Sequence, residues 1–226
     1  MRTVALIPAH NEAQRIAATL EALATVRGID DVIVVDDAST DGTETIARRS
    51  GATVLRLERN LGKGGALEAG AEHAGDPDVL LLLDGDLGTT AAQAGALLAP
   101  VLEQVADMTI ACFPRPAGKA GFGLVMGLAR WGIRRLGGPF DAQAPLSGQR
   151  ALNRAAMSAC RPFESGYGVE VALTVRALKA GLRLVEVETT MAHAATGRNL
   201  AGFLHRGRQF SHIAGALMRL ARERTR

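Results

Sequence analysis

The opening stretch of the chain alternates short apolar runs with amphipathic patterns. TVALIPA, DVIVVDD, TVLRLE and DVLLLLDGD are strand-like, and NEAQRIAATLEALATV, STDGTETIARRS and LGKGGALEAGAEHA fall between them with helical spacing. Strand, helix, strand in this repetition specifies a parallel sheet with helices on its faces, because parallel neighbours can be joined only by a crossover. Ile16, Leu20 and Leu23 share one face of the first predicted helix. DVLLLLDGD is apolar throughout, which fits a central strand covered on both sides. TAAQAGALLAPVLEQV continues as helix and MTIACF as strand, and neither internal repeats nor low-complexity tracts interrupt the pattern.

The character changes at residue 114. Residues 114–140 combine glycine, proline and arginine with Phe122, Leu124, Val125, Leu128, Trp131 and Ile133, which reads as a loop followed by an amphipathic helix suited to a flap, an interfacial helix or ordinary packing on the sheet. Residues 145–160 offer PLSG and a helix. GYG then precedes the helix VEVALTVRALKAG, and LRLVEVE is a late strand. With 226 residues and 47% hydrophobic content, the chain can bury one sizeable core. The expected organisation is one domain over 1–196, with halves at 1–113 and 114–196, and a basic helical C-terminal arm over 197–226.

The net charge of +3 is modest, but Arg198, Arg206, Arg208, Arg219, Arg222, Arg224 and Arg226 crowd the end of the chain. Such an arm suits a phosphate-bearing partner, peripheral contact with an anionic membrane, or simply a solvated helix face. Cys112 and Cys160 stand far apart, which indicates neither a disulfide framework nor a zinc site. No run approaches the ~20 apolar residues needed to span a bilayer, and MRTVALIPAHNEA lacks the pattern of a secretory signal. The expected location is the cytoplasm, with peripheral contact at the inner membrane face left open. Nucleic acid is not an expected partner, and a homodimer is compatible with the sequence.

In open parallel sheets ligands bind beyond the carboxyl ends of the strands. The residues there are Pro8, Ala9, His10, Asn11 and Glu12 after the first strand, then Asp36, Asp37, Ala38, Ser39, Thr40 and Asp41 after the second. Asn60, Gly62, Lys63 and Gly64 follow the third, and Asp84, Gly85 and Asp86 the fourth. Asp84 and Asp86 converge if the chain bends at Gly85, and two anions so close call for a cation. Hard carboxylate oxygens suit Mg2+ or Mn2+, which keep positions open for water and substrate phosphates. A plain strand-end turn with solvated carboxylates is the competing reading. GKGGALEAG is neither a Walker loop nor a dinucleotide fingerprint, so Lys63 reads as a single counter-charge.

IPAHNEA, VVDDASTDGT, NLGKGGALEAG and LLLDGDL, in that order, resemble the family 2 glycosyltransferases and their relatives with the glycosyltransferase A fold. PLSGQRALNR, GYGVEVAL and HAATGRN are similar to the second half of glucosyl-3-phosphoglycerate synthases and polyprenyl-phosphate sugar transferases. The resemblance implies an α/β fold: a single glycosyltransferase A catalytic domain over 1–196 with a Rossmann-like, mostly parallel sheet, 1–113 being its nucleotide-binding half and 114–196 its acceptor half. It further implies that Pro8, Ala9 and Glu12 line a nucleoside pocket, that Asp37 contacts the base, and that Lys63, Asp84, Gly85 and Asp86 lie along the nucleotide-sugar. Asp84, Asp86 and His193 would form the metal site. Ser147, Gly148, Tyr167, Glu170, Arg198 and Asn199 would line the acceptor side, with Glu170 beside the attacking group.

Two features differ from parts of the family. The QxxRW motif of processive polysaccharide synthases is absent, and where phosphoglycerate-using relatives carry an arginine after paired glycines, this chain has Phe122. The expected activity is metal-dependent transfer of a sugar from a nucleotide diphosphate, UDP-glucose being a typical donor, to a small anionic or polyprenyl-phosphate acceptor. Catalysis would fall to Asp86 and Glu170. Inversion and retention both remain compatible. A sugar nucleotidyltransferase, which usually carries a glycine- and arginine-rich loop after its first strand, and a catalytically inactive nucleotide-binding module are the alternatives.

Overall fold

This computed structural model describes residues 1–113, 123–192 and 200–223, the last of these in side-chain detail from 209 onward. Seven strands form one sheet: β1 (Thr3–Ala9), β2 (Asp31–Asp36), β3 (Thr53–Arg56), β4 (Val79–Leu82), β5 (Met108–Cys112), β6 (Arg150–Asn153) and β7 (Leu184–Glu188), in the order β3-β2-β1-β4-β6-β5-β7. β6 runs antiparallel to both β4 and β5, and every other pairing is parallel. The sequence reading of a mostly parallel sheet with helices on both faces is the observed architecture. It did not include β6: RALN is too short and too polar at its ends to stand out from the helix that follows it.

The helices are α1 (Ile16–Leu23), α2 (Thr43–Arg49), α3 (Gly62–Ala74), α4 (Ala94–Leu102), α5 (Gly123–Gly137), α6 (Arg154–Cys160), α7 (Val169–Lys179) and α8 (Leu200–Arg222). β4 is central, its four residues buried, with β1 on one side and β6 on the other. Strand alternation sends Ala5, Ile7, Leu81 and Leu83 to one face, where they meet Ile16, Leu20 and Leu23 of α1, and Val4, Leu6, Leu80 and Leu82 to the other, against Ala66, Leu67 and Ala71 of α3. Each fully buried leucine contributes about 1.5–3 kcal/mol.

The first predicted helix begins later than its polar pattern suggests. Asn11 is left-handed (φ 58°), and its backbone and side chain are tied to the loop after β2, through Asn11 N–H donating to Ser39 Oγ (2.9 Å) and Thr40 N–H donating to Asn11 Oδ1 (2.9 Å). These bonds to a neighbouring loop outweigh helix propensity, so α1 opens only at Ile16.

A third cluster lies away from the sheet. Val125, Ala129 and Ile133 of α5, Val171 and Val175 of α7, and Ile213, Leu217 and Leu220 of α8 are buried against one another. Residues 200–222 of the C-terminal basic stretch are helical, and one face of α8 is core. The expected boundary at residue 196 falls outside the described residues.

Candidate active site

The carboxyl edge of β1 and β2 is built by mutual bracing of two loops. His10 Nδ1 lies 2.7 Å from the Asp37 carbonyl, Glu12 N–H donates to Thr43 Oγ1 (2.9 Å), and Ala13 N–H donates to Asp41 Oδ2 (3.1 Å). Ala38 is held left-handed (φ 57°), a conformation that costs a non-glycine residue about 1–3 kcal/mol and persists only where its surroundings fix it. Pro8 and Ala9 end β1 beside this brace. Asp37 is 3% exposed, and its two carboxylate oxygens accept from Leu61 N–H (2.6 Å) and Gly62 N–H (2.8 Å), capping the start of α3. That cap satisfies amides the helix cannot bond internally and points α3, with Lys63 on its first turn, toward the strand edge.

The turn after β4 is fixed from below. Thr19 of α1, fully buried, donates from Oγ1 to the Gly85 carbonyl (2.8 Å) and accepts from Gly88 N–H (2.9 Å). A side chain at Gly85 would come within 3.3 Å of Ile16 and 3.5 Å of Glu12, so glycine allows the turn to rest on α1 and the loop after β1. Burial first, and then the nearby Asp86 carboxylate, push the Glu12 carboxyl above its ordinary value. Glu12 and Asp86 thus lie close enough for their carboxylates to repel each other.

Lys63 joins the two halves of the site. Its ammonium is 2.7 Å from Asp84 Oδ1 and 3.0 Å from Glu170 Oε1 in the first turn of α7, and the lysine side chain is only 22% exposed. Burial alone would lower its pKa. The two carboxylates outweigh burial and hold the ammonium well above the ordinary lysine value. Gln149 donates from Nε2 to the other Asp84 oxygen (2.6 Å). Gly148 lies directly over the lysine, since a Cβ there would sit 2.2 Å from Nζ.

Of the residues singled out from sequence, Lys63, Asp84, Gly148 and Glu170 converge, and Ser147 adjoins them, 3.4 Å from Gln149 through its hydroxyl. Asp86, on the same turn as Asp84, lies beside Glu12 of the loop after β1. Tyr167 stands differently: its ring lies 5.6 Å from that of His212 on α8, and its amide donates to His212 Nδ1 (3.4 Å). His193, Arg198, Asn199 and Phe122 lie outside the described residues. Sequence reasoning quoted SGQR but gave Gln149 and Arg150 no role, and it missed Thr19. The available signal was a glutamine and an arginine together at the head of an otherwise apolar strand, where burial requires specific partners.

Gly64, one of the residues following the third strand, has a close neighbour from the distant end of the chain. A Cβ there would fall 1.9 Å from the Glu164 carbonyl oxygen, so the glycine lets α3 meet the backbone that leads into α7. Among the described residues no three His, Cys, Asp or Glu side chains cluster closely enough to hold a metal alone. Asp84 and Asp86 offer hard oxygen ligands at one turn, a donor set that fits an ion completing its shell with water and phosphate.

Comparison with known proteins identifies the family. A family model described as glycosyl transferase family 2 matches residues 4–139. Glycosyltransferase AglJ of Haloferax volcanii is 31% identical over 199 residues, covering 82% of this chain and 61% of that protein, so the chain spans about three fifths of that relative's length. Undecaprenyl-phosphate mannosyltransferase of Micrococcus luteus is 31% identical over 221 residues, covering 88% of this chain and 87% of that protein. Among solved structures, glucosyl-3-phosphoglycerate synthase of Mycobacterium tuberculosis, crystallised with Mn2+, UDP-glucose and phosphoglyceric acid, superposes with a TM-score of 0.77 at 26% identity, over 96% of this chain and 80% of that one. With a seven-stranded glycosyltransferase A sheet and a family match across most of its length, the chain belongs to glycosyl transferase family 2.

Proposed function

We propose that this chain transfers a hexose from a UDP-sugar to an anionic acceptor with the help of Mg2+ or Mn2+. The observation that carries the reading is Lys63, which bridges Asp84 on the β4 turn and Glu170 on α7. A donor-side carboxylate and an acceptor-side carboxylate are thereby held within one ammonium's reach, at the sheet edge where a ligand is expected.

Asp84 and Asp86 would hold the dication, with His193 as a further candidate ligand. The ion's contribution would be to neutralise charge developing on the departing diphosphate. Pro8, Ala9, Glu12 and Asp37 would frame the nucleoside. Lys63 adds fixed positive potential beside the diphosphate, and Gln149 keeps Asp84 from rotating. Glu170 orients the acceptor, whose wall would include Ser147, Gly148 and Tyr167, with Arg198 and Asn199 as further candidates. An acceptor that is already a phosphate attacks without a strong base. The test is a panel of UDP-sugars with Mn2+, read as release of free UDP with and without candidate acceptors. Release should be lost in Asp86→Ala and kept in Glu103→Ala, an exposed residue at the end of α4 that lies at the opposite edge of the sheet. Equal release from all three proteins would overturn the assignment.

A lipid-linked acceptor is favoured by one surface. Leu124 (84% exposed) and Trp131 (62%) lie seven residues apart on one flank of α5, while Phe210 (45%) and Met218 (61%) are exposed on α8. The two helices meet where Gly132 receives Leu217. Arg135 continues the α5 flank. Among the described residues no helix is long and apolar enough to cross a membrane, so contact would be interfacial. Flotation with phosphatidylglycerol vesicles should fall when Leu124 and Trp131 become serine. Flotation that is absent from the start, or unchanged in the variant, leaves the small anionic acceptor as the better reading.

A further inference from the structure

Arg150 is fully buried at the head of β6. Its Nε–H donates to the Ser147 carbonyl (2.9 Å), and its Nη1–H donates to Thr174 Oγ1 (2.9 Å), which in turn donates to the Glu170 carbonyl (3.0 Å). The remaining nitrogen, Nη2, is buried without a hydrogen-bond partner in the protein. Burial lowers this guanidinium to about 10, with Glu170 the leading charge that opposes the shift, so it remains charged at neutral pH. A buried arginine with incomplete partners is a poor way to gain stability, since an apolar residue of similar volume often does as well or better. What this one does is geometric. It ties the backbone of the loop that carries Gly148 to the first turn of the helix that carries Glu170.

We propose that Arg150 is a positioning residue that sets the spacing between the donor-side pair Asp84–Lys63 and the acceptor-side Glu170, by clamping Ser147 and Thr174 behind the site. The neighbouring Gln149 fastens the same loop to Asp84 from the front. Gln149 and Arg150, adjacent in the chain at the entrance to β6, thus brace the site from opposite sides. Relaxing the clamp frees Ser147 and Gly148 to move, and with them the ceiling over the Lys63 ammonium.

The proposal rests on the transferase reading above, and its test is arranged so that the two can fail separately. Thr174→Val removes the hydroxyl that links Arg150 to Glu170, and Arg150→Lys keeps the charge without the planar fork. Both variants should bind UDP with Mn2+ as the wild type does by calorimetry. Both should lose acceptor-dependent transfer by tenfold or more at a temperature where they remain folded, with the loss in kcat or acceptor KM. Crystal structures of the variants should show the 147–149 backbone and the Glu170 carboxylate displaced. Wild-type kinetics in folded variants, or losses that follow only the melting temperature, would overturn the positioning role. If the wild type transfers no sugar, the transferase reading falls and the crystal structures still decide: an unmoved Ser147–Glu170 geometry refutes the clamp.

Discussion

Gly148 and Lys63 are so closely apposed that a β-carbon on the glycine would lie 2.2 Å from the lysine nitrogen, while the nearest atom of any other residue, Asp84 Oδ1, would lie 3.3 Å away. The obstructed atom is the end of a flexible side chain. Gly148→Ala should therefore fold with a melting temperature close to wild type and yet push the ammonium off its two carboxylates. Transfer should fall by about tenfold or more, the equivalent of ~1.4 kcal/mol of transition-state stabilisation. UDP-release kinetics alongside a thermal melt check this, and loss of both together would show that the glycine is structural.

Lys63→Met leaves Asp84 and Glu170 facing each other without a shared cation. The site is partly solvated, so the cost should be about 1–3 kcal/mol, below that of a fully buried charge. Because the folded pKa of Lys63 is raised, its stabilising contribution is complete below the ordinary lysine value of about 10.4 and fades only as pH rises through the higher folded value. The gap in melting temperature between wild type and Lys63→Met should stay constant from neutral pH to about 10 and shrink above it. A gap that closes between pH 6 and about 8 would assign the effect to another group.

Asp107 supplies a second pH test, at the opposite edge of the sheet. Hydrogen bonds from the Arg183 side chain lead in holding its carboxyl down to about 2, and the Arg183 amide and Asn153 side chain assist. The stabilisation is present above the ordinary aspartate value of about 3.9 and is lost as pH falls through the folded value. Urea midpoints of wild type and Asp107→Ala should differ at pH 6 and converge toward about pH 2. A difference that persists undiminished in acid would rule out the carboxylate as its source.

Leu217→Ala tests whether α8 belongs to the folded core. Leu217 is 6% exposed, in the cluster with Ile133, Val175 and Ile213, and truncating such a side chain costs about 2–5 kcal/mol. One cooperative melt, displaced downward, is the expected result. A melt with the wild-type midpoint would mean that α8 detaches in solution. For the same reason membrane contact is better probed by Leu124→Ser and Trp131→Ser than by removing residues from the C-terminus.

The sequence by itself determined the parallel strand-helix framework, the central place of β4, and the carboxylates and lysine at its edge. Local periodicity and the ends of apolar runs encode these features directly. Glu170 was legible as a carboxylate in the first turn of a helix, but not as the partner of Lys63. The tertiary structure alone decided what depends on residues distant in the chain. β6 takes its antiparallel place only because β4 and β5 offer open edges. Gly64 is glycine because the Glu164 backbone arrives there. Arg150 is tolerable in the core only where Ser147 and Thr174 accept its hydrogens. Periodicity records which face of an element is buried, whereas contacts across elements depend on how the sheet assembles, and no local pattern carries that information.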